Sequence, residues 1–249
     1  MMSLTEVKLP DIVRKQFFYK VKAYLSVFSS LLVVQVISLL LSTNGSRMMG
    51  TSHNGFSIDI NYYTGDISIV LTLIWSFITA IIITTKAYRN DDFVFVSNRV
   101  SSHLSNIVFL FFTSVIGGVT AVLAGQSFKV VMHLFLKDGY VMGTAIPFHE
   151  LILSLIVSVM YVFLLAALGY FVGMLVQLYR WFSVLLPTIV IGYMIIGARV
   201  GGEPILIVEI FKFYAQETVL LLFLIKIILT SCLLFFISSI LTNKLEVRQ

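Results

Sequence analysis

Six stretches of the chain are almost free of charge: residues 23–46, 67–85, 104–128, 151–179, 181–198 and 218–243, the last broken only by Lys226. A helix needs about 20 mainly apolar residues to cross a bilayer. Each run is of that size, so the pattern predicts six transmembrane helices in an all-α, polytopic membrane protein. No internal repeat or low-complexity linker divides the chain, and residues 1–249 read as one membrane domain.

The connections carry their own patterns. Residues 1–22 are basic, and Val13, Phe17 and Val21 recur at a spacing of four, with Lys15 and Lys22 off that line and Lys20 close to it. This predicts an interfacial helix that leads into the first span, with Pro10 in its first turn. The outer connection 44–66 is rich in Asn, Gly, Ser and Thr and reads as a loop. Lys129, His133 and Lys137 repeat every four residues after the third span, which predicts an amphipathic extension of that span or a separate interfacial helix. Pro204 and the residues after it predict a short outer helix before the sixth span.

Composition agrees. Hydrophobic residues make up 59% of the chain and charged ones 12%, too apolar for a water-soluble domain of 249 residues. Six spans put both termini on one side, and basic residues choose the side. With the termini inside, Lys8, Arg14, Lys15, Lys20, Lys22, Lys86, Arg89, Arg99, Arg180, Lys244 and Arg248 are cytoplasmic. Only Arg47, Lys129, Lys137, Arg199 and Lys212 are then outside, so the termini are expected in the cytoplasm of a cell bounded by this membrane. The basic balance reflects these flanks and points to membrane lipid, not nucleic acid. The single cysteine, Cys232, can form no internal disulfide and is expected to pack as a small hydrophobe.

Candidate chemistry is sparse. A phosphate-cradling G-x-x-x-x-G-K-[ST] loop is impossible, because no Gly-Lys pair occurs. Neither H-E-x-x-H nor C-x-x-C is present, and His53, His103, His133 and His149 are scattered, so no metal site and no cofactor bound by this chain are expected. No span core contains Asp or Glu, which argues against a proton-coupled carrier. The chain is therefore not expected to be an enzyme. Lys226 is the one charge inside a span, a candidate for the lining of a translocation path or a dimer contact, with snorkelling to the headgroups as the simpler reading. Gly169-x-x-x-Gly173 permits close helix approach, either within the chain or to a second copy. Between spans two and three, Asp91 and Asp92 precede Phe93-Val94-Phe95-Val96, and Arg99 follows. Apolar residues framed by charge at a cytoplasmic face read as a partner site, or else as an anchor in the headgroup region.

The stretch Arg89-Asn90-Asp91-Asp92-Phe93-Val94-Phe95-Val96-Ser97-Asn98-Arg99, running into Ser101-Ser102-His103-Leu104-Ser105-Asn106, resembles the membrane permease subunits of type-2 ABC exporters of Gram-positive bacteria. Six spans, cytoplasmic termini, an amphipathic N-terminal helix and short outer helices fit the same family over the whole chain. The resemblance implies that residues 86–103 form a coupling segment, with Asp91, Asp92, Phe93, Phe95 and Arg99 meeting a separate ATPase subunit that binds ATP and magnesium. It also implies a second permease chain, identical or related, and export of a peptide, lipid or amphipathic toxic compound. A membrane sensor or immunity protein, and a secondary carrier or channel, are the competing readings.

Overall fold

The computed structural model describes residues 9–43, 47–53, 56–62, 65–88, 99–135, 147–199 and 205–245. Eight helices are described: α1 (Leu9–Ala23), α2 (Leu25–Ser42), α3 (Asp66–Ile83), α4 (Arg99–Phe135), α5 (Phe148–Leu178), α6 (Phe182–Arg199), α7 (Ile205–Ala215) and α8 (Leu220–Leu245). Two strands, β1 (Arg47–His53) and β2 (Phe56–Tyr62), lie between α2 and α3. Five of the helices, α2, α3, α4, α5 and α8, are long and apolar enough to cross a membrane. The chain is thus a multi-pass helical membrane protein. The apolar part of α6, Phe182–Gly197, is shorter, so the expected count of six is met only if α6 also crosses.

In lipid, a backbone N–H or C=O without an internal partner is costly, and a helix satisfies them all within one segment. Composition therefore fixes helices, and the interior decides how they pack. The inward line of the first two helices runs Gln16, Lys20, Tyr24, Val27, Leu31, Gln35, Ser38, Ser42, at steps of three and four. It continues across the break at Tyr24, whose backbone (φ −103°, ψ 41°) separates α1 from α2. In α3, Ser68, Thr72, Ser76 and Thr79 are buried while Val70, Ile74, Ile78 and Ile82 lie on the outer surface. The inner face of α3 is small and polar and its outer face apolar, an arrangement lipid favours, because hydrophobicity provides no drive between helices there. Interior hydroxyls bond to their own helix: Ser38 Oγ donates to the Gln35 carbonyl at 2.6 Å and Thr72 Oγ1 to the Ser68 carbonyl at 2.7 Å.

Helix α5 is the hub, packed against α3, α4 and α8. Glycine makes the approach possible. A Cβ on Gly118 of α4 would stand 2.7 Å from Val159 Cα of α5, one on Gly169 would meet the Phe77 carbonyl of α3, and one on Gly173 would meet Thr84 Oγ1. Aromatic and aliphatic side chains fill the rest, with Phe109, Leu110, Ala167 and Tyr170 at the centre.

Three expectations change, and one open alternative is decided. The connection 44–66, read as a loop, contains an antiparallel hairpin with His53 opposite Phe56. Its local signal was present: the residues between those positions are Asn54-Gly55, the pair most favoured in two-residue hairpin turns. Of the two readings for the stretch after the third span, the extension holds: α4 runs on as one helix to Phe135 and includes Lys129 and His133, while Lys137 lies outside the described residues. Cys232 lies on the outer surface of α8 and not in the interior. In α1, Lys15 and Lys22 are exposed as expected, but Gln16 and Lys20 are the fully buried residues, with Val13, Phe17 and Val21 only half-buried.

Candidate functional site

The described residues concentrate their buried polar chemistry where α1 meets the start of α4. Ser101, His103, Ser105 and Asn106 occupy the first turns of α4 and are all buried. His103 and Asn106, three apart, share a face. Lys20 of α1, 1% exposed, is the only buried lysine among the described residues. Its ammonium donates to Ser105 Oγ at 2.7 Å and to Asn106 Oδ1. Ser105 Oγ donates onward to the Ser102 carbonyl at 2.9 Å.

The network continues across the bundle. Asn106 Nδ2 lies 3.5 Å from Tyr170 Oη of α5, and His103 Nδ1 lies 3.0 Å from the same oxygen. His103 Nε2 is 3.1 Å from the Phe235 carbonyl of α8. A carbonyl can only accept, so Nε2 carries a proton. In the neutral ring Nδ1 must then accept, and Tyr170 O–H is its donor. Tyr170 Oη in turn accepts from Asn106 Nδ2, whose amide is oriented by the lysine on its oxygen. The chain of donors therefore has one direction: Lys20 to Asn106 to Tyr170 to His103 to Phe235. It ties α1, α4, α5 and α8 together through residues far apart in sequence. Tyr170 is held sideways by its ring neighbours His103, with centroids 5.3 Å apart, and Phe235, at 5.7 Å.

Gln16, one turn before Lys20 on the same face, is also 1% exposed. Neither polar atom of its amide has a partner among the described residues. Such a group costs free energy in an apolar interior. Chemically, the site offers one cation, an orphan amide and a directed hydrogen-bond relay, which suits it to fixing helices relative to one another. Among the described residues, no three of His, Cys, Asp and Glu come together to hold a metal ion.

A second polar level crosses the bundle further along α2, where Gln35 Nε2 donates to Thr120 Oγ1 at 2.8 Å and Trp75 Nε1 to Ser30 Oγ at 2.9 Å. Beside Trp75, α2 and α3 leave an open apolar groove of about 360 Å³ on the outer surface, between Val34, Ile37, Ile74 and Ile78.

The residues singled out from sequence fall elsewhere. Asp91, Asp92, Phe93 and Phe95 lie outside the described residues, and Arg99 is the first residue of α4, one turn before His103. Gly169 and Gly173 are both buried in the intrachain contact of α5 with α3, so their surfaces are already occupied. Lys226 forms an ion pair with Glu217, sits 4.1 Å from the Phe213 ring centroid, and reaches the Phe213 carbonyl at 3.4 Å. It thus closes the elbow between α7 and α8, reinforced by Tyr161 O–H donating to the Tyr214 carbonyl at 3.1 Å. Phe235 is nine positions further along α8, roughly 13 Å, so Lys226 does not join the Lys20 network.

Sequence reasoning did not find Gln16, Lys20, His103, Ser105, Asn106 or Tyr170 as a unit. One signal was available: the steps of three and four from Gln16 to Ser42 form a single line, and polar residues recur along it. No family model, curated protein or solved structure matches the chain.

Proposed function

We propose that this chain is the membrane-spanning permease subunit of an ATP-driven exporter of the type-2 ABC class. In this reading α6 also crosses, as the fifth of six spans, both termini are cytoplasmic, and the protein resides in the cell membrane. A separate ATPase subunit binds ATP and magnesium and docks on the segment Asp91 to Arg99. A second permease chain completes the path, and the cargo is a peptide, lipid or amphipathic toxic compound. The observation that carries the reading is the seating of α1 on the first turns of α4 through Lys20, Ser105 and Asn106. The amphipathic N-terminal helix and the first turns of α4 then meet at one end of the bundle, where a soluble motor would push. Amphipathic cargo fits outer surfaces rich in Leu, Ile and Val and an interior of hydroxyls without carboxylates among the described buried residues.

Two measurements test this. First, single cysteines placed at Ser52 and Ser97 in a Cys232→Ala chain should react oppositely with an impermeant thiol reagent in sealed cells; equal reaction at both removes the six-span arrangement. Second, the tagged chain purified from its native membrane should retain an ATPase and its ATP hydrolysis. Burying one Phe contributes about 1.5–3 kcal/mol, so the double change Phe93→Ala with Phe95→Ala should weaken that association by roughly a hundredfold or more. Membrane abundance should stay near normal. Retention of the ATPase at the original level by the double variant would show that the segment is only an interfacial anchor.

A further inference from the structure

We infer that Lys20 is a positioning residue, the latch that holds α1 against the bundle and releases it when the relay behind it opens. This goes beyond the transport reading and does not depend on it.

A helix seated on a membrane protein by apolar packing alone buries its Phe, Leu and Val. Helix α1 does seat Phe17 and Val21 on the core, but the residues it buries fully are Gln16 and Lys20, and Phe18 and Tyr19 stay on the surface. An ammonium held at 1% exposure is stable only while hydrogen bonds to it persist. Ser105 and Asn106 of α4 provide such bonds. Lys20 also has an easy escape. The break at Tyr24 separates α1 from the first span, so α1 can pivot there and return its charge to the headgroups and water. Two positions are therefore available, and the acceptors on α4 are among the groups that choose between them.

The acceptors are themselves held from behind. Asn106 is tied to Tyr170 of α5 through its longest link, 3.5 Å, and Tyr170 to His103, which is tied to α8. A small separation of α4 from α5 breaks the weakest link first and frees the Asn106 amide to turn. The position of α1 thus reports how α4 packs on α5 and α8. The orphan amide of Gln16 favours release, since lifting α1 hydrates it.

The test is a sign pattern that a purely packing role does not produce. In full-length Cys232→Ala protein in native membrane vesicles, Gln16→Cys serves as reporter; it removes only an unpartnered amide, and the new thiol is covered while α1 is seated. Its reaction rate with a water-soluble maleimide is measured. Adding Ser105→Ala with Asn106→Leu should raise that rate by at least about tenfold, the equilibrium change expected from losing a hydrogen bond to a charged group. Adding Lys20→Met to the same chain should restore protection, because an apolar side chain has no reason to leave and replacing a buried polar pair on both sides is close to neutral. An unchanged rate in the Ser105/Asn106 variant, or a raised rate that Lys20→Met fails to reverse, overturns the latch. Should the Ser105/Asn106 variant not accumulate in the membrane, Tyr170→Phe cuts the relay one link further back. It should raise the rate measurably, and no change there also overturns the proposal.

Discussion

Helices α5 and α6 follow one another in the chain, are both strongly apolar, and meet opposite fates. Helix α5 packs on three neighbours, whereas α6 presents most of its length to the outside, with Val184, Ile189, Ile191 and Ile196 all well exposed. Apolarity does not distinguish them. The difference is one face: α5 carries Ser158, Ala166, Ala167, Gly169, Tyr170 and Gly173 on its buried side. There the backbones of α3 and α4 come close, and a single phenol enters a hydrogen-bond network. Helix α6 has Gly192 too, but a Cβ there would meet nothing within 4 Å. In a bilayer the interior belongs to the helix that offers small residues and polar partners, because lipid solvates large aliphatic side chains as well as protein does.

That contrast can be broken most directly at the glycines. Gly169→Leu drives a side chain into the Phe77 carbonyl, backbone that cannot move aside, and should destabilise the fold by about 3 kcal/mol or more. Gly192→Leu should change stability by no more than about 0.5 kcal/mol. Unfolding of both purified variants by SDS in mixed micelles checks the pair. Equal sensitivity at the two positions would mean that α6 is packed against another molecule.

A smaller effect sharpens the comparison at the α7–α8 elbow. Lys226 has its own partners, Glu217 and the Phe213 ring, and its side chain is 27% exposed. Lys226→Met should leave insertion intact and cost about 1 kcal/mol, typical of a polar link between membrane helices. Loss of several kcal/mol in the same titration would show that the α7–α8 elbow carries as much stability as the α5 hub. Under the proposed transport function, normal export in this variant would also remove Lys226 from any role in a translocation path.

The outcome at individual residues shows what a chain of this kind reveals in advance. The membrane class, the helical runs and the exposed basic edge of α1 were legible, because each follows from local composition and length. Even the hairpin had a local sign in Asn54-Gly55. Gly169-x-x-x-Gly173 was legible as a close-approach motif, while its partner, α3, was not, since any small-residue face fits several neighbours. Lys226 was legible as an anomaly; its pairing with Glu217 required the turn between α7 and α8. The Lys20 network was hidden for a physical reason. Lys20 and Asn106 stand 86 positions apart, and His103 and Tyr170 stand 67 apart. A polar residue in a membrane helix looks the same in sequence whether it lines the interior or lies at the edge. Sequence alone determined that this protein lives in a bilayer and where its helices run. Only the tertiary structure decided which helices share an interior and which polar groups meet there, because those choices rest on backbone approach and hydrogen-bond geometry between segments that local composition does not couple.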